Sequence, residues 1–435
     1  MNKEILKLAI PNVLTNLTVP LVGIVDMGLM GHIPTKGHII SIGLGVVVFN
    51  IIYWAFGFLR MGTTGLVAQN FGKDNKAATL IFLKRGLMIA LGGGGLLILL
   101  SNVIFESSML LLQVDPTYIG LISKYFFIRI YAAPFTISIF VLTGWLLGMQ
   151  DSKSAFFIAI VVNVVNVLLS VLLVLYFQLD VEGIAYGTLV AQIVGCIIAW
   201  QLIKRKYRVN FFSLGIHKSP DQLSWLEYVK INTDIFIRTM CLLAVLSFFK
   251  AKSALLNETL GAANLLLLEF VTISAYGIDG FAFAAESISG KYFGLGDRSS
   301  FISSIRKLMF WGLGVGIFFS ALFLLFGEQI LSLLTNKQDV IDIAGVYMPW
   351  LIIAPIINAF AFIWDGIYLG VSATKLMRNT MLISTLSFFM FYYLLVDRFN
   401  NHGLWLCLTL FMLSRGILQT LPARKYIIGR LELSQ

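Results

Sequence analysis

The sequence predicts an all-α integral membrane protein. It has twelve transmembrane helices in two six-helix lobes, related by a pseudo-two-fold axis along the membrane normal. Three observations carry this expectation. Of the 435 residues, 58% are hydrophobic and only 12% charged, about half the charged share of a soluble protein. Apolar runs long enough to cross a bilayer recur twelve times along the chain. Basic residues crowd into alternate loops, which is the charge signature of membrane orientation.

The spans fall near 8–31, 39–71, 86–105, 118–148, 154–177, 183–203, 229–256, 262–293, 308–327, 343–370, 376–396 and 403–423. Several exceed the bilayer thickness, which implies tilt or projecting ends. The longest polar interruption contains Lys204, Arg205, Lys206 and Arg208, then Ser219-Pro220-Asp221. It divides the chain into an N-terminal lobe (1–203), a linker (204–228) and a C-terminal lobe (229–435). Both termini and the even-numbered loops carry Lys3, Lys7, Lys73, Lys76, Lys84, Arg85, Lys291, Arg298, Lys375, Arg378, Arg424 and Lys425, whereas the odd-numbered loops hold only Lys36, Lys337 and Arg398. Both termini and the linker are therefore expected on the cytoplasmic side of the plasma membrane. One miscounted span would break this alternation. Met1 to Lys7 is charged and no small-residue cleavage site precedes the first span, so no cleavable signal peptide is expected. The net charge of +10 lies in short loops and reads as an orientation signal, so no nucleic-acid partner is expected. Cys196, Cys241 and Cys407 sit in apolar runs and suggest neither a disulfide framework nor a metal site.

The halves repeat. Phe71-Gly72 matches Phe293-Gly294, and the glycines of Thr143-Gly144-Trp145-Leu146-Leu147-Gly148 match those of Asp365-Gly366-Ile367-Tyr368-Leu369-Gly370, both at an offset of 222. Ala133-Pro134 and Ala354-Pro355 open the latter two segments, one residue out of step. Six spans per copy keep both copies in one orientation, the parallel-repeat plan of many secondary transporters.

Asp26 is the one charged side chain between Lys7 and Lys36. An ionisable group at membrane depth is costly and marks a functional site by default. Burial in an apolar bundle disfavours its charged form. Pro11 and Pro20 interrupt the same run and can bend a helix. An acid on a bendable helix has the form of a proton- or cation-driven switch; the alternative is a carboxylate paired with a lysine at the membrane edge. Asn163, Asn166 and Ser170 in the fifth span and Thr188 in the sixth are further polar groups, and Asn166 and Ser170 share a helix face. With Asp26 they could form an oxygen-rich pocket for a proton or small cation, or they could simply hydrogen-bond between helices; spacing does not separate the two. The second half holds Asp234, Arg238, Lys250, Lys252, Glu269, Asp279, Glu286, Asp365 and Arg415. Their near-balanced signs suggest ion pairs across helices or a wet cavity.

The segments Phe58-Leu59-Arg60-Met61-Gly62-Thr63-Thr64-Gly65-Leu66, Asp279-Gly280-Phe281-Ala282 with Ala285-Glu286-Ser287, and Trp364-Asp365-Gly366-Ile367-Tyr368-Leu369-Gly370 with Met377-Arg378-Asn379 resemble the multidrug and toxic compound extrusion family, in particular its DinF-like branch. The resemblance runs nearly end to end. It implies twelve helices in two lobes and efflux of bulky, often cationic organic compounds by alternating access, driven by inward H⁺ or Na⁺. Asp26 matches the family's first-helix coupling acid, Pro11 its bending proline, and Asn166 and Thr188 its first-lobe cation site. Ser170 stands where relatives often carry an aspartate, which favours H⁺ over Na⁺. Asp279, Glu286, Asp365 and Lys250 are the candidates for a second-lobe polar site. No cofactor is expected beyond the coupling ion. The expected partners are a small organic substrate and membrane lipid, and the expected state is monomeric. A lipid-linked oligosaccharide flippase of the same superfamily is the alternative, suggested by Arg60, Lys250 and Lys252; a membrane enzyme is disfavoured because no metal or nucleophile motif occurs.

Overall fold

The computed structural model describes residues 1–31, 37–209 and 223–429, and every regular element among them is helical. The order is α1 (Asn2–Gly31), α2 (Gly37–Phe56), α3 (Phe58–Gly72), α4 (Lys76–Leu99), α5 (Ser101–Leu111), α6 (Pro116–Arg129), α7 (Ala133–Gly148), α8 (Ser152–Val171), α9 (Val181–Tyr207), α10 (Trp225–Ala254), α11 (Glu258–Gly294), α12 (Arg298–Ser332), α13 (Gln338–Gly370) and α14 (Thr374–Ala423). Nine stretches among the described residues are long and apolar enough to cross a membrane. One of them, α14, breaks at Asn400 (φ 48, ψ −128) and is two helices. With the 30-residue helices α1 and α10, the twelve expected spans are accounted for. The second span is α2 followed by α3 across Gly57, and the fourth is α6 and α7 joined by a 3₁₀ turn at Ile130–Ala132 just before Pro134. A proline so placed removes a backbone donor and favours a change of helical path. By contrast α1 is one unbroken helix through Pro11 and Pro20.

Polar residues in the loops set the helix starts. The side chains of Asn75, Asp115, Asp151, Asn257 and Asp297 each accept a hydrogen bond from a backbone N–H in the following first turn. Ser224 and Glu227 form a reciprocal capping box at α10. Each such cap supplies a partner to an orphan donor of the helix end.

The chain forms two compact units, Leu14–Leu223 and Met1–Val13 with Ser224–Gln435. Helix α1 is thus divided. Its first turns lie in the unit otherwise made from the second half, where Glu4 accepts from Lys291 Nζ (2.7 Å) and Tyr292 Oη (3.0 Å) and Gly280 of α11 abuts Val13. The sequence boundaries (1–203, linker 204–228, 229–435) follow the apolar runs, whereas the compact units follow packing.

Within each unit the same construction recurs at the offset of 222. Helices α4 and α12 begin at Lys76 and Arg298, α6 and α13 at Pro116 and Gln338, α8 and α14 at Ser152 and Thr374. The left-handed turn residues Asp74, Gln150 and Gln178 are matched by Gly296, Ser372 and Asn400. The glycine contacts repeat as well. Gly144 meets the backbone of Arg60 and Gly148 that of Thr64; Gly366 meets Ala282 and Gly370 meets Glu286. Gly94 packs on Pro134 as Gly316 packs on Pro355. Lipid tails are as apolar as leucine, so helices in a bilayer associate through close packing, and glycine lets backbones approach. Between these seams lie aromatic cores, around Phe49, Tyr125 and Phe126 in one unit and Phe249, Phe388, Trp405 and Phe411 in the other.

A side chain at either glycine seam has to push two backbones apart. Gly144→Leu and Gly366→Leu should each destabilise the protein by about 1–3 kcal/mol, the usual cost of overpacking. Gly314→Leu on α12, where an added side chain meets open space, should leave the unfolding temperature close to that of the unaltered protein. Thermal unfolding of the purified variants reads the difference, and equal losses at all three positions would disprove the close-packing role.

Candidate functional site

Helix α1 delivers Asp26 to the interior of the first unit, where it is only 6% exposed. The charge facing it is Arg129, at the end of α6; the two groups act on one another electrostatically. Arg129 is half-buried and held from the other side by aromatic rings. Its guanidinium carbon lies 4.8 Å from the Phe49 ring centroid and 5.3 Å from that of Tyr125, and Nη1 donates to the Tyr125 hydroxyl. Phe49 in turn stacks on Tyr53 at 5.7 Å. Cation–π contacts of this kind gain strength where water is excluded. Asp26 Oδ1 is buried and has no hydrogen-bond partner among the described residues. A buried oxygen in that condition is expensive unless it gains a proton or a ligand.

The neighbouring polar groups form separate ties. Asn163 Nδ2 donates to Thr18 Oγ1 of α1 at 2.7 Å. Asn166 Nδ2 donates to Thr188 Oγ1 at 2.9 Å, and Thr188 donates onward to the Ile184 carbonyl. Asn166 Oδ1 and Ser170 Oγ are buried without a hydrogen bond among the described residues. Ser170 lies on the crossing of α8 and α9, directly against Gly187. The structure therefore joins Asn166 to Thr188 by a hydrogen bond, while Arg129 acts on Asp26 through its charge; among the described residues no hydrogen bond links Asp26 to Asn166 or Thr188. Pro11 is half-buried within α1. The side chain of Pro20 lies outside what the structure describes.

In the second unit the charges close on one another. Asp365 is buried and accepts from both Arg238 and Arg415, with Gln419 Nε2 donating to its Oδ1 at 2.6 Å. Arg415 also lies over the rings of Phe362 and Phe411. Asp279, half-buried on α11, acts electrostatically on Arg415. Glu286 is buried on the same helix. Asp234 is tied to Arg378 Nη1 (2.6 Å) and Thr374 Oγ1 (3.1 Å). Lys250 is exposed on α10, so the structure does not bring it to the Asp365 group. Asp234, Arg238, Asp365 and Arg415 thus pair across helices. Such buried pairs fix geometry more than they add stability.

Two features escaped the sequence reading. The first is Arg129, whose charge acts on Asp26 from another helix. The spacings Phe49/Tyr53 and Tyr125/Arg129, each one helical turn, were the available signal for the aromatic cage. The second is a latch at the loop between α7 and α8. Asp151 accepts from Lys206 Nζ (2.6 Å) and Tyr207 Oη (3.0 Å) at the end of α9 while capping α8. Burial pushes the Asp151 carboxyl up, but the hydrogen bonds from Lys206, Ser154 and Tyr207 and the Lys206 charge outweigh it and hold the group below the usual carboxylate range.

Comparison with known proteins gives a consistent set of similarities. The MatE family model matches residues 11–172 and 239–394, and the model for the lipid II flippase MurJ matches 116–249. DNA damage-inducible protein F of Escherichia coli is 30% identical over 416 residues, covering 96% of this chain and 90% of that protein. Human multidrug and toxin extrusion protein 1 is 23% identical over 383 residues, 85% of this chain and 64% of that protein. A solved MOP superfamily transporter from Pyrococcus furiosus superposes with a TM-score of 0.88 at 17% identity, over 99% of this chain and 96% of its own.

The Asp151 latch carries a pH dependence. A carboxyl lowered on folding contributes stability above its unfolded value and loses it as the pH falls through its folded one. Asp151→Asn keeps a competent cap and removes the charge. Its unfolding temperature should lie below that of the unaltered protein at neutral pH, and the gap should narrow as the pH falls below the ordinary carboxylate value of 3.8. A gap that is constant with pH would assign the latch to packing alone.

Proposed function

The chain belongs to the MatE family, and from that membership we propose that it is a secondary active exporter of organic compounds that works by alternating access and antiports H⁺ through Asp26. The family is one of transporters. The substrates are bulky, often cationic organic molecules, in keeping with the named activity of the human relative. The protein acts as a monomer in the plasma membrane, and its alternating basic loops support both termini lying in the cytoplasm.

The observation that carries the reading is Asp26 itself, a buried acid under the charge of Arg129 whose Oδ1 has no hydrogen-bond partner among the described residues. Ionised, the Asp26–Arg129 pair is neutral overall and its surroundings tolerate a substrate cation. Protonation of Asp26 leaves the Arg129 charge uncompensated. In a low-dielectric interior that charge repels a cation strongly. Taking up a proton from the outer side thus disfavours the cation-loaded state, and releasing it inside restores affinity. One ligand, the proton, shifts the balance between two states by binding one of them better. Helix α1 carries the acid and contributes to both compact units, so a change in its path at Pro11 or Pro20 is felt by each. Asn166 and Thr188 complete the polar lining.

The same geometry speaks against Na⁺. A bare metal ion favours a second carboxylate, and Ser170 stands where one would be placed. Arg129 beside Asp26 adds a repulsive charge. Asp365, the candidate acid of the second unit, is already occupied by two arginines.

In proteoliposomes an imposed proton gradient should drive efflux of a fluorescent cation such as ethidium. Asp26→Asn should lower the rate at least roughly a hundredfold, as expected when an obligatory coupling group is removed, while leaving the protein folded. A sodium gradient at symmetric pH should drive nothing. Efflux by Asp26→Asn at the unaltered rate would remove this residue from the mechanism. Sodium-driven efflux would overturn the ion assignment. Movement of a lipid-linked oligosaccharide in place of the dye would favour the flippase reading suggested by the match over 116–249.

A further inference from the structure

The C-terminal turns of α9 and the first turns of α8 form an open groove of about 430 Å³ lined by Phe157, Ile198, Gln201, Leu202, Arg205 and Lys206. The five α9 residues follow the spacing i, i+3, i+4, i+7, i+8, so they form one continuous strip along a single helix face. Their chemistry changes in order. Ile198 and Leu202 lie deepest, Gln201 beside them, and the bases Arg205 and Lys206 at the end. Phe157, half exposed at 50%, forms the opposite wall. Farther along α8, Ile160, Val164 and Leu168 are also exposed, which marks this side of the unit as its lipid-facing surface.

From Ile198 to Arg205 the strip rises about 10 Å, at ~1.5 Å per residue. That spans an interfacial layer, which is on the order of 5–8 Å deep on each side of a bilayer, together with the first carbons beneath it. The charge is also specific. Lys206 is already neutralised by Asp151 at 2.6 Å. Arg205 is exposed and forms no ion pair among the described residues. The groove therefore offers one uncommitted positive charge above an apolar slot.

We propose that this groove is a binding site for a single anionic phospholipid. Its phosphodiester pairs with Arg205, its ester region lies at Gln201, and the upper part of an acyl chain packs between Phe157, Ile198 and Leu202. One free cation matches one phosphate and favours an anionic headgroup over a zwitterionic one, whose own ammonium cancels the complement. Basic pockets between membrane helices on the cytoplasmic side suit such headgroups. The site lies apart from Asp26 and its binding is read without transport, so it stands or falls independently of the antiport reading; only its assignment to the cytoplasmic leaflet rests on the proposed orientation.

Native mass spectrometry of the full chain in detergent, titrated with phosphatidylglycerol or phosphatidylcholine, tests it. A first phosphatidylglycerol adduct should form with higher affinity than the phosphatidylcholine adduct. Arg205→Gln should weaken it roughly fivefold, the effect of one interfacial charge, and Arg205→Lys should retain it. Lys204→Gln, at an exposed base of the same helix end that does not line the groove, should bind as the unaltered protein does. Glycerol phosphate should not displace the lipid. Equal affinity for the two lipids, equal weakening by Lys204→Gln and Arg205→Gln, or displacement by glycerol phosphate would each overturn the proposal. The first two would reveal diffuse surface charge, and the third a site for the headgroup alone. Arg205 is exposed, and matching unfolding temperatures of the variants exclude misfolding as the cause of a loss.

Discussion

A carboxylate at membrane depth is tolerated when a nearby positive charge or a proton balances it. In the first unit the positive charge acting on Asp26 is Arg129, and much of the local architecture holds Arg129 in place. Helix α6 ends at Arg129 and yields to a 3₁₀ turn. Tyr125 and Phe49 flank the guanidinium. Tyr53 stacks on Phe49 and itself acts electrostatically on Arg129. Arg129 Nε and Asp26 Oδ1 are both buried without a hydrogen bond among the described residues, but an arginine keeps its charge while a carboxyl can take up a proton, so the acid is the partner whose state is free to change. On the proposed reading this asymmetry is what makes the pair a switch rather than a fixed tie.

The second unit shows the contrast. It is built on the same helix boundaries, turn residues and glycine seams, yet its buried Asp365 is saturated. Asp365 receives two arginines and a glutamine, and breaking such a group costs far more than forming it returns. The repeat therefore preserves backbone geometry, which glycine contacts enforce at the level of single atoms, while the charges set into it have diverged. One unit holds Asp26, whose Oδ1 has no hydrogen-bond partner among the described residues, and in the other Asp365 is tied to three side chains.

The fold was legible because its determinants are local or periodic. Apolar run lengths, alternating basic loops and paired glycines are all written along the chain, and the offset of 222 reappears in helix starts and in left-handed turns such as Gln150 and Ser372. Asp26 was legible for a similar reason, since a solitary charge in an apolar run needs no alignment to be noticed. What spacing cannot provide is the partner on another helix. Arg129 and Asp26 are distant in sequence, and nothing in either span names the other. The same holds for Asp151 with Lys206, and for Asp365 with Arg238 and Arg415. Lys250 illustrates the converse. It shares a helix with Arg238, but a helix has several faces, and Lys250 stands on an exposed one. The division of α1 between the units was also hidden, because a helix reads as one element in sequence whichever unit its turns pack against.

The central claim is that proton and cationic substrate exclude one another through Asp26. The most direct measurement is proton release from purified protein in weakly buffered detergent solution as ethidium is titrated in. Reciprocal linkage between two ligands leads to release of up to about one proton for each cation bound, at a pH where Asp26 is protonated in the free protein, and to none from Asp26→Asn. Binding without proton release by the unaltered protein across the pH range, or equal release by Asp26→Asn, would contradict the claim.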